Sequence, residues 1–156
     1  MEIERKTVMK TIIICASMHH GNTRKVADAI AAECGAEVLD ALTVKERDLS
    51  EYDLIGFASG IYGGRFHPAL MEFAKKNLPQ DKKIFYIMTS AMDKDFSRSM
   101  ESAVSGKNAE VAGRFSCKGY NTFGPFKLIG GTAKGHPDED DLKNAAAFYQ
   151  EMVSRL

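Results

Sequence analysis

The chain has 156 residues, 44% of them hydrophobic, which suits one compact domain with an ordinary buried core. Its 21 basic side chains balance 21 acidic ones, which argues against a dominant electrostatic pull toward nucleic acid or membrane. No apolar run approaches the ~20 residues of a bilayer crossing. The start Met1-Glu2-Ile3-Glu4-Arg5-Lys6 is too charged for the apolar stretch of a secretory leader. A cytoplasmic protein is expected, with residues 1–156 as a single domain and 1–8 as a loosely packed tail.

Thr11-Ile12-Ile13-Ile14-Cys15-Ala16 is the longest core run, and a first strand is expected over Lys10 to Ala16. Thr23 to Cys34 follows as a helix, with Val26, Ala27, Ile30 and Ala31 at helical spacing and Gly35 as its stop. Glu37 to Leu39 reads as a short strand, Leu49 to Tyr52 as a connector and Asp53 to Ser59 as a third strand. Pro68 opens a helix at the position proline tolerates best, with Leu70, Met71, Phe73 and Ala74 as its apolar face. Lys83 to Thr89 is a fourth strand, a weaker helix falls between Phe96 and Lys107, and Glu110 to Lys118 is a fifth strand. The last helix starts near Pro137, with Asp138, Glu139, Asp140 and Asp141 suited to the positive end of its dipole.

Strands that are apolar throughout imply a sheet covered on both faces. Their alternation with helices calls for an α/β fold, a three-layer doubly wound sandwich around a five-stranded parallel sheet. Such sheets bind ligands beyond the carboxyl ends of their strands, near the point where strand order reverses. The cysteines, Cys15, Cys34 and Cys117, are odd in number and far apart, which disfavours a disulfide framework and a zinc site.

The loop after the first strand reads Ser17-Met18-His19-His20-Gly21-Asn22-Thr23-Arg24. It leads into a helix N-terminus, where backbone N–H groups and the dipole favour an anion. Gly21 permits a turn, Ser17, Asn22 and Thr23 offer short polar side chains, and Arg24 adds positive charge. The segment suits one phosphate group, and it equally suits plain helix capping. A Walker loop and the G-x-G-x-x-G dinucleotide pattern are absent. The acidic cluster of a magnesium-holding phospho-receiver is missing too: strand one ends in Cys-Ala-Ser and strand three in Ala-Ser-Gly. His19 and His20 have no carboxylate or cysteine at metal spacing. After strand three, Ser59-Gly60-Ile61-Tyr62-Gly63-Gly64-Arg65-Phe66-His67 sets aromatics among glycines, which suits a planar ligand or a loop folded back on the core. After strand four, Thr89-Ser90-Ala91-Met92-Asp93 offers backbone donors and a methionine.

With these residues in register, the chain resembles the flavodoxin family, in its short-chain form, from about Lys10 to Leu156. The resemblance rests on Gly21-Asn22-Thr23 before a helix, on Ser59 to Phe66, and on Gly135-His136-Pro137-Asp138 opening the last helix. It implies non-covalent FMN. The phosphate would lie on Ser17, Gly21, Asn22 and Thr23, with His19 and His20 as backbone donors. The isoalloxazine ring would lie between Ser59, Gly60, Ile61, Tyr62, Gly63, Gly64 and the segment Ser90, Ala91, Met92. Gly60 and Gly63 are the candidates for a peptide bonded to flavin N5, and Tyr62, Phe66 or Met92 for covering a ring face.

The chain departs from the family pattern in four ways. Three residues, not two, separate Ser17 from Gly21. There is no tryptophan, and no tyrosine at Ser90 to Asp93. Net charge is zero, where family members are often acidic. A long aromatic, glycine-rich stretch, Gly119 to Gly131, follows strand five; it either serves the site or packs on the sheet edge through Phe123, Phe126 and Leu128. The resemblance implies a low-potential electron carrier serving redox partner proteins, as a monomer or weak homodimer. The alternatives are an FMN-dependent NAD(P)H or quinone reductase, with His67 or Tyr62 as proton donor, and a cofactor-free interaction module.

Overall fold

The computed structural model describes residues 9–18, 21–92, 94–119 and 135–156. The expected tail 1–8, His19, His20, Asp93 and most of the long loop, residues 120–134, lie outside the described residues.

The strands are β1 (Thr11–Ala16), β2 (Glu37–Asp40), β3 (Leu54–Tyr62), β4 (Arg65–Phe66), β5 (Lys83–Ser90) and β6 (Glu110–Lys118). The helices are α1 (Asn22–Cys34), α2 (Pro68–Asn77), α3 (Glu101–Val104) and α4 (Glu139–Ser154), with a 3-10 turn at Ser97–Met100. The main sheet runs β2-β1-β3-β5-β6, its neighbours all parallel. Strand order therefore reverses between β1 and β3, where the sequence pattern places the ligand end. Short β4 pairs antiparallel with the end of β3.

Alternation along each strand builds two cores. Ile12, Ile14, Ile55, Phe57, Ile84 and Tyr86 pack with Leu70, Phe73 and Met100 on one face. Ile13, Cys15, Leu54, Ala58, Phe85 and Ile87 pack with Val26, Ile30, Tyr149 and Met152 on the other. Thr11, the one polar side chain of β1, is satisfied: its hydroxyl lies 2.7 Å from that of Tyr149 on α4. The thiols of Cys15 and Cys117 are buried and that of Cys34 half-buried, and none of the three is in a disulfide. Among the described residues no helix is long and apolar enough to cross a membrane.

Two expectations change in detail. The segment after Ser59 is a hairpin rather than a loop: β3 continues to Tyr62 and returns as β4 through Gly63 and Gly64. Both glycines have positive φ, 59° and 77°, as a two-residue turn that follows the strand twist requires. The weak helix between Phe96 and Lys107 shrinks to the 3-10 turn and the single turn of α3, because Ser105 turns to extended backbone and Gly106 to positive φ.

Candidate functional site

Helices α1, α2 and α4 all begin at the carboxyl edge of the sheet, and each treats its exposed N–H groups differently. At α2 the cap is His67, whose Nδ1 accepts from the Ala69 N–H at 3.0 Å. At α4 the cap is Asp138 in a capping box: Asp138 Oδ1 accepts from the Asp141 N–H (2.9 Å), and Asp141 Oδ2 accepts from the Asp138 N–H (2.8 Å). Two more acids, Glu139 and Asp140, stand in that first turn, and His136 Nδ1 stands 2.6 Å from Asp141 Oδ2. Burial alone would raise the Asp141 carboxyl; the His136 and Asp138 hydrogen bonds outweigh it and hold it below the usual range.

At α1 the cap is Gly21, with φ 65° and no side-chain cap bond, and no acid lies in the first turn. Ser17 Oγ accepts from the Arg24 N–H at 3.2 Å, and the Arg24 guanidinium is 2.9 Å from Asp28. Among the described residues, a Cβ at Gly21 would meet nothing within 4 Å. Asn22 and Thr23 are buried beneath it. Asn22 packs against Gly119, where an added Cβ would come within 2.9 Å of its Nδ2. The Thr23 hydroxyl lies 2.7 Å from that of Thr89 at the end of β5. Thus Thr23 contributes its backbone to the helix start while its side chain ties the first loop to the third.

The hairpin stands beside this loop. Ser59 Oγ accepts from the His67 N–H (2.9 Å) and donates to the Gly60 carbonyl (2.5 Å), fixing the end of β3 against the start of α2. Tyr62 folds back over its own strand, and a Cβ at Gly60 would stand 2.8 Å from its hydroxyl. Its ring meets His67 edge-on, centroids 5.4 Å apart. Burial pushes the Tyr62 phenol up, opposed by a hydrogen bond from the Met18 backbone. Since His67 Nδ1 accepts a hydrogen bond, its proton sits on Nε2, which faces Met18 Sδ at 3.1 Å. Burial, then Lys45, lowers the His67 pKa, so the ring stays neutral near pH 7. Met18, Tyr62 and His67 therefore join the first loop to the hairpin.

The hairpin tip is different. A Cβ at Gly63 or Gly64 would meet nothing within 4 Å, so this backbone is open to a ligand while that of Gly60 is covered. Of the two peptides considered for flavin N5, the one at Gly63 is accessible. Ile61 is half-buried on the same strand. Phe66, a candidate ring cover, is fully buried and sits edge-on to Tyr86 in the core, so it cannot play that part. In the third loop the Ser90 hydroxyl bonds the Met92 carbonyl, Ala91 is half-buried and Met92 is 60% exposed. The Gly119 N–H donates to the Ser90 carbonyl at 2.9 Å, which ties the end of β6 to this loop. His19 and His20 lie outside the described residues.

Sequence reasoning passed over Met18, Thr89 and Gly119, and undervalued the capping role of His67. Their partners come from segments far along the chain, and no local pattern signals such pairs. Cys15, close to the site, is no nucleophile: burial raises its thiol to about 12, although Arg24 pulls the other way.

An acid-free helix start with glycine at its cap and a glycine hairpin stand beside the switch point of an open doubly wound sheet, which is the ligand-binding edge of that class. The comparisons agree with that class. Residues 13–124 match the family model described as a flavodoxin domain. An uncharacterised protein of Methanocaldococcus jannaschii is 39% identical over 148 residues, covering 93% of this chain and 99% of its own. Flavodoxin 2 from Bacillus cereus superposes with a TM-score of 0.68 at 20% identity, over 94% of this chain and 99% of its own. A flavoprotein in complex with FMN from Lactobacillus acidophilus superposes with a TM-score of 0.54 at 20% identity, over 69% and 93%. The chain belongs to the flavodoxin family.

Proposed function

We propose that the protein binds FMN and carries electrons one at a time between redox partner proteins in the cytoplasm. The observation that carries this reading is the start of α1. Of the three helix starts at the ligand edge, it alone has neither a side chain on its cap nor an acid in its first turn, and no described residue stands within 4 Å of a Cβ at its cap. The donors present fit the FMN phosphate: the N–H groups at Gly21 to Thr23, with the Arg24 charge nearby and Ser17 holding the turn. The open peptide at Gly63 suits the ring edge. Bound FMN would supply the redox chemistry. The residues around it would bind, orient and limit water, and no acid, base or nucleophile is needed. The work needs neither nucleic acid nor membrane, and a monomer or weak homodimer suffices.

A second reading, an FMN-dependent NAD(P)H or quinone reductase, draws on Tyr62. Tyr62 is held over Gly60 by Met18 and His67, and in that position it would leave a face of bound FMN for a substrate.

The test is a visible-absorbance titration with FMN and with riboflavin, followed by anaerobic reduction in small steps. Tight FMN, weak riboflavin and reduction in two separate one-electron stages are expected. Reduction in a single two-electron stage, with rapid turnover of NAD(P)H, selects the reductase. A protein that ignores both flavins is a cofactor-free interaction module, and the reading is lost.

A further inference from the structure

Helix α2 is capped by a group that titrates. The common caps, Ser, Thr, Asp and Asn, accept a helix N–H throughout the range around neutral pH. Asp138 does so at α4. At α2 the acceptor is His67 Nδ1, 3.0 Å from the Ala69 N–H. An imidazole accepts there only while it is neutral, because the charged ring carries a proton on both nitrogens.

The same side chain reaches beyond the helix. Its Nε2–H faces Met18 Sδ in the first loop at 3.1 Å, and its ring meets Tyr62 of the hairpin edge-on at 5.4 Å. Tyr62 in turn bonds the Met18 backbone. The His67 N–H donates to Ser59 Oγ at 2.9 Å. One half-buried imidazole therefore ties together the start of α2, the hairpin and the first loop. It does so in a single state, with Nδ1 bare and the proton on Nε2.

Protonation would set Nδ1–H against the Ala69 N–H, donor against donor, and put a positive charge at the positive end of the helix. No described carboxylate offsets that charge, since the histidine ion pairs among the described residues are those of His136. The charged groups on the neighbouring elements are Lys45 after β2, Arg65 on β4, Glu72 on α2 and Arg98 in the 3-10 turn. Glu72 is turned to Lys75 at 3.6 Å. Lys45 adds its charge to burial in disfavouring the His67 proton. His19 and His20, beside Met18, lie outside the described residues.

We propose that His67 is a positioning residue that acts as a pH-sensitive clamp on the flavin site: neutral, it caps α2 and holds the first loop to the hairpin; protonated, it lets go, and FMN is held less tightly. The proposal rests on the FMN reading above. FMN favours the clamped, neutral ring, so its binding lowers the His67 pKa, and acid weakens binding. The ordinary His value is 6.5 and the folded one lies below it, so the loss falls below about pH 6.5. A one-unit difference between the free and the loaded protein is about a factor of ten in affinity.

The experiment titrates FMN, followed by flavin fluorescence, into the whole protein and into His67→Asn from about pH 7.5 to about pH 5. Asparagine caps a helix and does not titrate. The FMN phosphate, with its second pKa of about 6, and His19 and His20 titrate in both proteins, so they drop out of the ratio of the two dissociation constants. That ratio is expected to change about tenfold across the range, the unmodified protein losing affinity relative to the variant as pH falls. A level ratio, or one that moves the other way, overturns the clamp and leaves the FMN reading standing. NMR of the unmodified protein keeps the test open if His67→Asn fails to fold. The His67 ring is expected as the Nε2–H tautomer, with a pKa that FMN lowers further. An Nδ1–H tautomer, or a His67 pKa that FMN raises or leaves alone, overturns the proposal. A protein that takes up no FMN at any pH overturns the proposal together with the reading beneath it.

Discussion

The N-termini of α1 and α4 lie at the same end of the sheet, and the sequence equips them in opposite ways. The α4 start is capped from within the chain: a capping box binds the Asp138 and Asp141 N–H groups, three acids stand in its first turn, and the His136 imidazole lies against Asp141. The α1 start has a glycine at its cap, no acid in its first turn and, among the described residues, nothing within 4 Å of a Cβ at that glycine. A helix start carries about half a positive charge and four N–H groups without helical partners. When the chain supplies the anion, as at α4, the result is stability. When it withholds one, stability is forgone and an anion from outside can bind.

The comparison breaks most sharply if α1 is given what α4 has. Asn22→Asp places a carboxylate in the first turn of α1, where the phosphate is proposed to lie. Two like charges about 4 Å apart repel by about 4 kcal/mol at a surface-like effective dielectric of ~20. FMN affinity should fall at least about a hundredfold on that scale, while riboflavin, without the phosphate, loses little. Fluorescence titration with both flavins reads the split, and equal losses would remove the phosphate from α1.

The next effect concerns how the open start is held in place. Thr23→Val keeps the shape but deletes one partner of the buried Thr23–Thr89 pair, leaving a hydroxyl unsatisfied at a cost of about 1–3 kcal/mol. Thr89→Val should cost the same and the double variant little more, because the second change removes the orphan. Urea denaturation of the four proteins gives the coupling; simple additivity would show that the hydroxyls do not act together.

At α4, Asp138→Ala removes a cap and should cost about 1 kcal/mol. For a domain of this size that is a fall in Tm of about 2–4 °C. FMN affinity should not change. A variant that instead lost FMN would place α4 in the site and dissolve the contrast between the two helices.

How far this contrast could be read in advance differs between its two halves. The acids at Asp138 to Asp141 and the Gly21-Asn22-Thr23 turn are local signals, and both helix starts were legible within a residue or two. The parallel, covered sheet followed as readily, because β1, β3 and β5 are apolar on both faces. The hairpin was missed because Gly60 looks like a strand end; the Gly63-Gly64 pair three residues on was the usable signal. Phe66 was misjudged as a ring cover because aromatic character does not tell a core ring from a site ring. Only the pairing of Phe66 with Ile61 on β3 turns it inward. The ties of Thr23 to Thr89, Met18 to His67 and Asn22 to Gly119 join segments 49 to 97 residues apart, and nothing local announces them.

The smallest effect separates the two helix starts by pH. Asp141 has a lowered pKa in the folded chain, through His136 and the Asp138 N–H acting against burial. A depressed carboxylate pKa adds stability that is complete above the unfolded value and is lost as pH falls through the folded one. The ordinary Asp value is 3.8, so the loss falls below about pH 4. Asp141→Asn should lower the Tm near neutral pH, and the gap from the unmodified protein should close on acidification to pH 3. The Thr23–Thr89 hydroxyl pair at the α1 start does not titrate, so Thr23→Val should show a Tm offset that stays level across the same range. Differential scanning calorimetry of the three proteins from pH 7 to 3 reads both trends. A gap for Asp141→Asn that widens with acid would mean that the Asp141 carboxyl opposes folding, and would reverse the account of how α4 is capped.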